Sequence, residues 1–169
     1  MGWHMKIRKL LGEDAAIYQD IRLEALQKHP EAFGSSYEEE ARFSIEFVAN
    51  RLTNKGNFTL GAFEKNQLIG VATLTLEQKN KLKHRGNIVA VYVKAQYRGM
   101  GIAKGLMKEA IHEADQLKGV EQIYLAVVSA NERAKKLYES LGFKAYGVDK
   151  NALKLNDVYY DEVLMVLFL

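Results

Sequence analysis

The 169-residue chain contains no cysteine. Disulfides, thiol nucleophiles and zinc–thiolate centres are therefore excluded together. Proline is nearly absent as well: Pro30 is the only one. No proline-, glycine- or serine-rich linker, internal repeat or low-complexity tract divides the chain, which reads as one domain. No stretch approaches the roughly 18 consecutive apolar residues a membrane helix needs, and the first residues lack the apolar segment of a secretory signal. A strong excess of one charge is also missing. The 24 basic and 21 acidic residues leave +3, whereas nucleic-acid binders carry a larger or more clustered excess. The basic stretch "KNKLKHR" (Lys79–Arg85) lacks the interleaved aromatics that stack on bases. These absences lead us to expect a cytoplasmic protein with no metal, nucleic-acid or membrane partner. Met1-Gly2-Trp3-His4 reads as an appended remnant ahead of a domain spanning residues 5–169.

What is present is ordinary for a globular core: 48% apolar and 27% charged residues. "MKIRKL" (Met5–Leu10) alternates like a strand. Glu13 to Lys28 has Ile17, Ile21, Leu23, Ala25 and Leu26 at helical spacing and stops before Pro30. "PEAFGSSYEEE" reads as a loop, and Ser44–Asn54 as a short helix with Ser44 as cap. Phe58–Glu64 and Leu68–Gln78 form a hairpin around Lys65-Asn66-Gln67. Gly86–Val93 is a valine-rich strand, Ile102–Leu117 a helix ended by Gly119, and Glu121–Val128 another strand. A helix over Asn131–Leu141, stopped by Gly142, leads into two closing strands. The order βααβββαβαββ indicates an α/β domain on a mixed sheet rather than a regular alternation of βα units.

One segment is unusual. In "VYVKAQYRGMGIAKGLM" (Val91–Met107) an apolar strand runs into two glycines at the mouth of a helix. A helix N-terminus offers unpaired N–H groups and partial positive charge, which suits a phosphate. Glycine lets the backbone approach a ligand closely. Arg98, Gly99, Met100, Gly101, Ile102 and Ala103 can thus present successive N–H groups to a pyrophosphate, and Gly105 eases close packing one turn on. The same spacing also suits a strand-to-helix turn that binds nothing. It is not a Walker loop, because no Gly-Lys-Ser/Thr follows, and the third position of a dinucleotide fingerprint is Lys104.

"QYRGMGIA" (Gln96–Ala103) resembles the coenzyme A signature Q/R-x-x-G-x-G/A of the GNAT superfamily of N-acetyltransferases, with Gln96, Gly99 and Gly101 on its fixed positions. "NERAKKLYESLGF" (Asn131–Phe143) resembles that family's second cofactor segment, N-x-x-A-x-x-x-Y-x-x-x-G-F, with Asn131, Ala134, Tyr138, Gly142 and Phe143 matching. The resemblance implies a central, mostly antiparallel sheet of about seven strands flanked by about four helices. It implies acetyl coenzyme A as cosubstrate, its pyrophosphate on the amides of Arg98–Ala103. It also implies a splay between Asn87–Val93 and Gln122–Val128, where the pantetheine arm bonds Val91 and Val93 as an added strand.

The implied reaction is direct attack of a neutral amine on the acetyl thioester. Tyr138, seven residues after Asn131 and on the same helix face, is the expected proton donor to the leaving sulfur; Asn131 is expected on the cofactor's amide arm or as a helix cap. A backbone N–H near Tyr92 is the expected oxyanion donor. Many members of the family carry a glutamate on the strand before the glycines, but "NIVAVYV" has none. Glu24, Glu77 and His84 are the alternatives and ordered water serves equally, so no base is assigned. The stretch "YQDIRLEALQKHPEAFGSSYEEE" lies where the superfamily builds its acceptor pocket, with Arg22, Glu24 and Phe33 as lining and Glu38-Glu39-Glu40 as a solvated face. The acceptor amine is the expected partner and remains unidentified; a homodimer is compatible. A non-catalytic acyl coenzyme A sensor of the same fold is the competing reading.

Overall fold

The computed structural model describes residues 5–169; the reading of Met1–His4 as a remnant lies outside them. Strands β1 (Met5–Lys9), β2 (Asn57–Glu64), β3 (Gln67–Leu76), β4 (Arg85–Val93), β5 (Gln122–Val128), β6 (Lys144–Leu155) and β7 (Val158–Phe168) form one sheet in the order β1-β2-β3-β4-β5-β7-β6. Every pairing is antiparallel except β4 with β5. Helices α1 (Ala15–Lys28), α2 (Tyr37–Glu40), α3 (Ile45–Thr53), α4 (Ile102–Gln116) and α5 (Glu132–Ser140) cover it.

Each face of the sheet has its own core. Ile102, Leu106, Met107, Ala110 and Ala114 of α4 meet Leu60, Ile69, Leu74, Ile123 and Met165 on one side. Ala15, Ile21 and Ala25 of α1 and Val48 and Leu52 of α3 meet Phe63, Val71 and Tyr92 on the other. Two-sided coverage explains why β2 and β3 read as near-continuous apolar runs. Within α1 the predicted apolar face is rotated: Ile17 is exposed, and Ala15 takes an inward position instead.

The expected loop at "PEAFGSSYEEE" contains one helical turn, α2. Ser36 caps it by accepting from Glu39 N–H, and the Glu39 carboxylate accepts from Ser36 N–H, a reciprocal capping box. That S-x-x-E signal was present in the sequence. The turn carries Glu40 inward, so the third glutamate of the supposed solvated run is buried at 7% exposure.

Candidate active site

Strands β4 and β5 pair only from Arg85–Gln122 to Asn87–Tyr124. Beyond that point β5 continues alongside β7 to Val128, while β4 leaves it. The divergence starts at a bulge. Register with β3 jumps between Tyr92↔Val71 and Val89↔Thr73, so Ala72 faces both Ala90 and Val91. Ala90 has φ +58°, an uncommon conformation for a residue with a side chain, and such strain concentrates at functional sites. The expected splay is therefore present.

Its polarity follows from strand alternation. Lys94 N–H donates to Ile69 O on β3, so Tyr92 N–H turns toward β3, and the groups of Val91 and Val93 face the opening. Arg98 Nε donates to Val93 O at 3.0 Å from that open side. The Tyr92 side chain points away as well, donating to Glu24 at 2.6 Å. An oxyanion donor on this strand is thus better sought at Val91 than at Tyr92.

At the helix mouth Gly99 and Gly101 both have φ +79°. Gly101 is the N-cap of α4, so the N–H groups of Ile102, Ala103 and Lys104 have no carbonyl one turn earlier. A Cβ built on Gly101 meets nothing within 4 Å. Backbone conformation rather than crowding requires glycine there, and the space above it is open to a ligand. Arg98 N–H is already given to Ala95 O at 3.3 Å, so the free run starts at Gly99. Arg133, from the first turn of α5, reaches to 3.5 Å of a Cβ at Gly99, adding a cation that the motif reading had passed over. Open backbone donors, an α-helix N-terminus and a nearby guanidinium fit a diphosphate. Gly105 packs under Ile7 and Met5, as its place one turn on suggested.

Asn131 accepts from Ala134 N–H at 3.2 Å and caps α5. Tyr138 is 8% exposed, with its ring edge-on to Phe143. Burial pushes its phenol up to about 12, so the pocket does not stabilise the phenolate. Tyr138 therefore stays protonated near neutral pH.

On the other side of the sheet lies a second cavity of about 370 Å³. It meets the splay through Ile88, Ala90 and Ala126, and its walls come from α1, α2, α3 and the β6–β7 hairpin. Thr59 and Thr73, register partners on β2 and β3, share a buried hydroxyl bond of 3.0 Å in its floor. Arg22 holds Glu40 through Nε (3.1 and 3.2 Å) and Nη2 (2.8 Å). Burial works against the Glu40 carboxylate, but the Arg22 bonds outweigh it and hold it below its ordinary range. Arg22 Nη1 is buried and has no partner among the described residues.

Arg22 and Phe33 line this cavity as expected, and Glu24 does not. Glu24 accepts from Tyr92 and from Lys94 (3.1 Å), which overcome its burial and hold it ionised. Glu77 accepts from Asn87, and His84 sits where its carbonyl starts the β4–β5 pairing. None of the three alternatives for a base touches the cavity. The acid that does, besides Glu40, is Glu162 on β7, whose carboxyl is pushed up by burial and by Asp149.

The model of the Acetyltransferase (GNAT) family matches residues 18–143, well over half the chain. The chain belongs to this family. An N-alpha-acetyltransferase of Sulfurisphaera tokodaii is 35% identical over 69 residues, 41% of each chain. The L-amino acid N-acetyltransferase AaaT of Escherichia coli is 29% identical over 98 residues, 58% of this chain and 60% of that one. The chain thus spans less than two thirds of the length of these two relatives. The bS18-alanine N-acetyltransferase of Escherichia coli is 26% identical over 121 residues, 72% of this chain and 76% of the relative. Among solved structures, a GNAT acetyltransferase from Streptococcus pneumoniae superposes with a TM-score of 0.81 at 22% identity, covering 98% of this chain and 100% of that one. Arabidopsis thaliana NAA60, solved with a bisubstrate analogue, gives 0.76 at 20% identity, covering 98% of both chains. At those identities the likeness is one of fold. This GNAT chain departs from the sequence-based expectation of about four helices only by the one-turn α2.

Proposed function

We propose that this chain transfers the acetyl group of acetyl coenzyme A to a primary amine by direct attack. The observation that carries the reading is the meeting of two sites at Ala90: a backbone cradle with an open strand edge on one side, and a separate side-chain-lined cavity on the other. A cofactor-binding domain needs only the first.

The N–H groups of Gly99–Lys104 and the Arg133 guanidinium would hold the diphosphate. Val91 and Val93 would bond the pantetheine arm, with Arg98 giving up Val93 O. Coenzyme A supplies an activated thioester there, with no metal required. Val91 N–H is the donor for negative charge developing on the carbonyl oxygen, inside a water-poor cleft where such a bond counts most. Tyr138, neutral because it is buried, donates toward the sulfur as it departs. Asn131 stiffens the start of α5 and has a second lone pair for the arm.

The relatives' printed acceptors differ, from L-amino acids to the alanine of a ribosomal protein, and do not choose one for this chain. The test is release of free thiol from acetyl coenzyme A in the presence of amino acids, peptides, polyamines and aminoglycosides. Amine-dependent release supports transfer. Saturable binding with no release across the panel favours the sensor reading.

A further inference from the structure

We infer that the cavity reads the acceptor at both ends of an α-amino acid unit. Arg22 Nη1 takes the acceptor's carboxylate or first main-chain carbonyl oxygen, and Glu162 takes its ammonium and the proton that must leave. The inference rests on the acetyl-transfer reading and adds a substrate class and a base to it.

Arginine has five N–H donors in a fixed fork. Glu40 takes the N–H of Nε and one N–H of Nη2. Of the other three, the two on Nη1 are buried without an acceptor among the described residues. A buried donor left unsatisfied costs more than a made bond returns, so an oxygen arriving in the cavity at Nη1 is favoured. Glu40 already neutralises the guanidinium, which lets Nη1 take a neutral amide carbonyl. Arg51, on the same wall and packed over Phe43 and Phe47, supplies the charge that a free carboxylate requires.

Glu162, on β7, lines the same cavity as Arg22. It is the register partner of Val128 on β5, which makes it a diagonal neighbour of Ala126, about 7–8 Å away across the ladder. Ala126 is where the cavity meets the splay. The carboxylate therefore sits toward the transfer end. An amine that also carries an oxygen acceptor can engage both residues, whereas a simple alkylamine engages only Glu162.

The bond changes balance. The ammonium gives one proton to the Glu162 carboxylate. The freed nitrogen lone pair forms the N–C bond, and the C–S pair departs with sulfur. The second proton lost by nitrogen, as it becomes an amide, protonates that sulfur by way of Tyr138. Glu162 then returns its proton to water, one per turnover. Burial and Asp149 bring the Glu162 proton affinity closer to neutral, which suits a base. The other ionisable groups around it are Tyr18 and Arg22 from α1, Glu40 from α2, Arg51 from α3 and Asp149 from β6.

The test compares matched acceptors by thiol release: L-phenylalanine against 2-phenylethylamine, L-leucine against 3-methylbutylamine, and dipeptides with the same first residues. Each α-amino acid or dipeptide is expected to exceed its decarboxylated partner in kcat/KM by roughly 10-fold or more, the worth of a hydrogen bond to a charged group. Free amino acids ahead of dipeptides identify a small-molecule acceptor; the reverse identifies a peptide N-terminus; either supports the inference. Arg22→Lys keeps a cation for Glu40 but removes the Nη1 fork. It is expected to raise KM for the amino acid by a larger factor than for the matched alkylamine. Glu162→Gln is expected to lower kcat about 100-fold at neutral pH, with recovery as rising pH supplies free amine, which a merely structural role would not produce. Equal kcat/KM within the pairs on the unaltered protein overturns the inference, as does a pH-independent Glu162→Gln. Thiol release with no amine at all also overturns it. A calorimetric titration with coenzyme A in the same samples then decides the parent reading separately: saturation keeps the cofactor half, and a flat titration removes both.

Discussion

The two halves of the proposed site are built on different principles. The cofactor half relies on main chain: glycine at φ +79° twice, a helix N-terminus and an unpaired strand edge. The acceptor half relies on side chains from four helical and sheet elements, Arg22, Glu40, Arg51 and Glu162 among them. Backbone recognition needs particular residues at fixed local spacing, so it is written contiguously. Side-chain recognition needs only that distant positions converge, so its residues can lie 140 positions apart in the chain, as Arg22 and Glu162 do.

If that contrast is right, the two halves should fail differently. The largest effect is expected from Glu40→Ala, which strands the 13%-exposed Arg22 cation without its partner. A loss of about 3–5 kcal/mol in denaturant unfolding is expected, with coenzyme A affinity of the remaining folded protein unaltered. Next, Tyr138→Phe keeps the buried ring and removes the hydroxyl. Turnover is expected to fall on the order of 100-fold, again with cofactor affinity kept; unchanged turnover under saturating cofactor would take Tyr138 out of the chemistry. Gly101→Ala then tests the backbone half. No atom opposes the new methyl, so the cost is that of the left-handed conformation, about 1–2 kcal/mol, and coenzyme A binding weakens while acceptor KM does not change.

A pH titration of stability addresses the buried and half-buried carboxylate pairings without mutation. Asp14, Glu24 and Glu40 are all held below their ordinary values by hydrogen-bonded cations or hydroxyls. Groups with lowered folded values contribute stability above the unfolded pKa and lose it as pH falls through the folded one. Thermal midpoints should therefore be level near neutrality and drop once pH goes below about 4, and stability that rises with acid would contradict these pairings. The smallest effect belongs to the junction. Ala90→Gly keeps the bulge and removes its left-handed penalty, partly offset by the freer unfolded chain, so stability is expected to hold or rise by up to about 1 kcal/mol. A clear loss would mean that the Ala90 methyl is needed in the cavity wall.

The same contrast explains what could be read from residues alone. The strands, the long helices and the cradle were legible because periodicity and glycine placement are local. Arg98 belongs to the motif, yet its N–H is engaged with Ala95 O, a detail that the turn Ala95–Tyr97 decides and no motif spells. Glu40 was read as solvated because a run of three acids is usually wet; the capping box that turns it inward lay in plain view at Ser36 and Glu39. Glu162 was not among the alternatives Glu24, Glu77 and His84, because nothing local in the sequence brings β7 to the cavity. Its one signal was inward alternation: it shares a strand face with Leu164 and Val166. Pairing of Arg22 with Glu40 had no sequence signature at all, since two helices and a loop choose it.

The most direct measurement is a pair of calorimetric titrations, one with coenzyme A and one with pantetheine, which lacks the diphosphate. Saturable binding is expected for coenzyme A, together with a large loss of affinity for pantetheine and for Gly101→Ala. Equal binding of the two ligands, or no saturation by coenzyme A on folded protein, would contradict the claim that the main chain around Gly99 and Gly101 holds the cofactor.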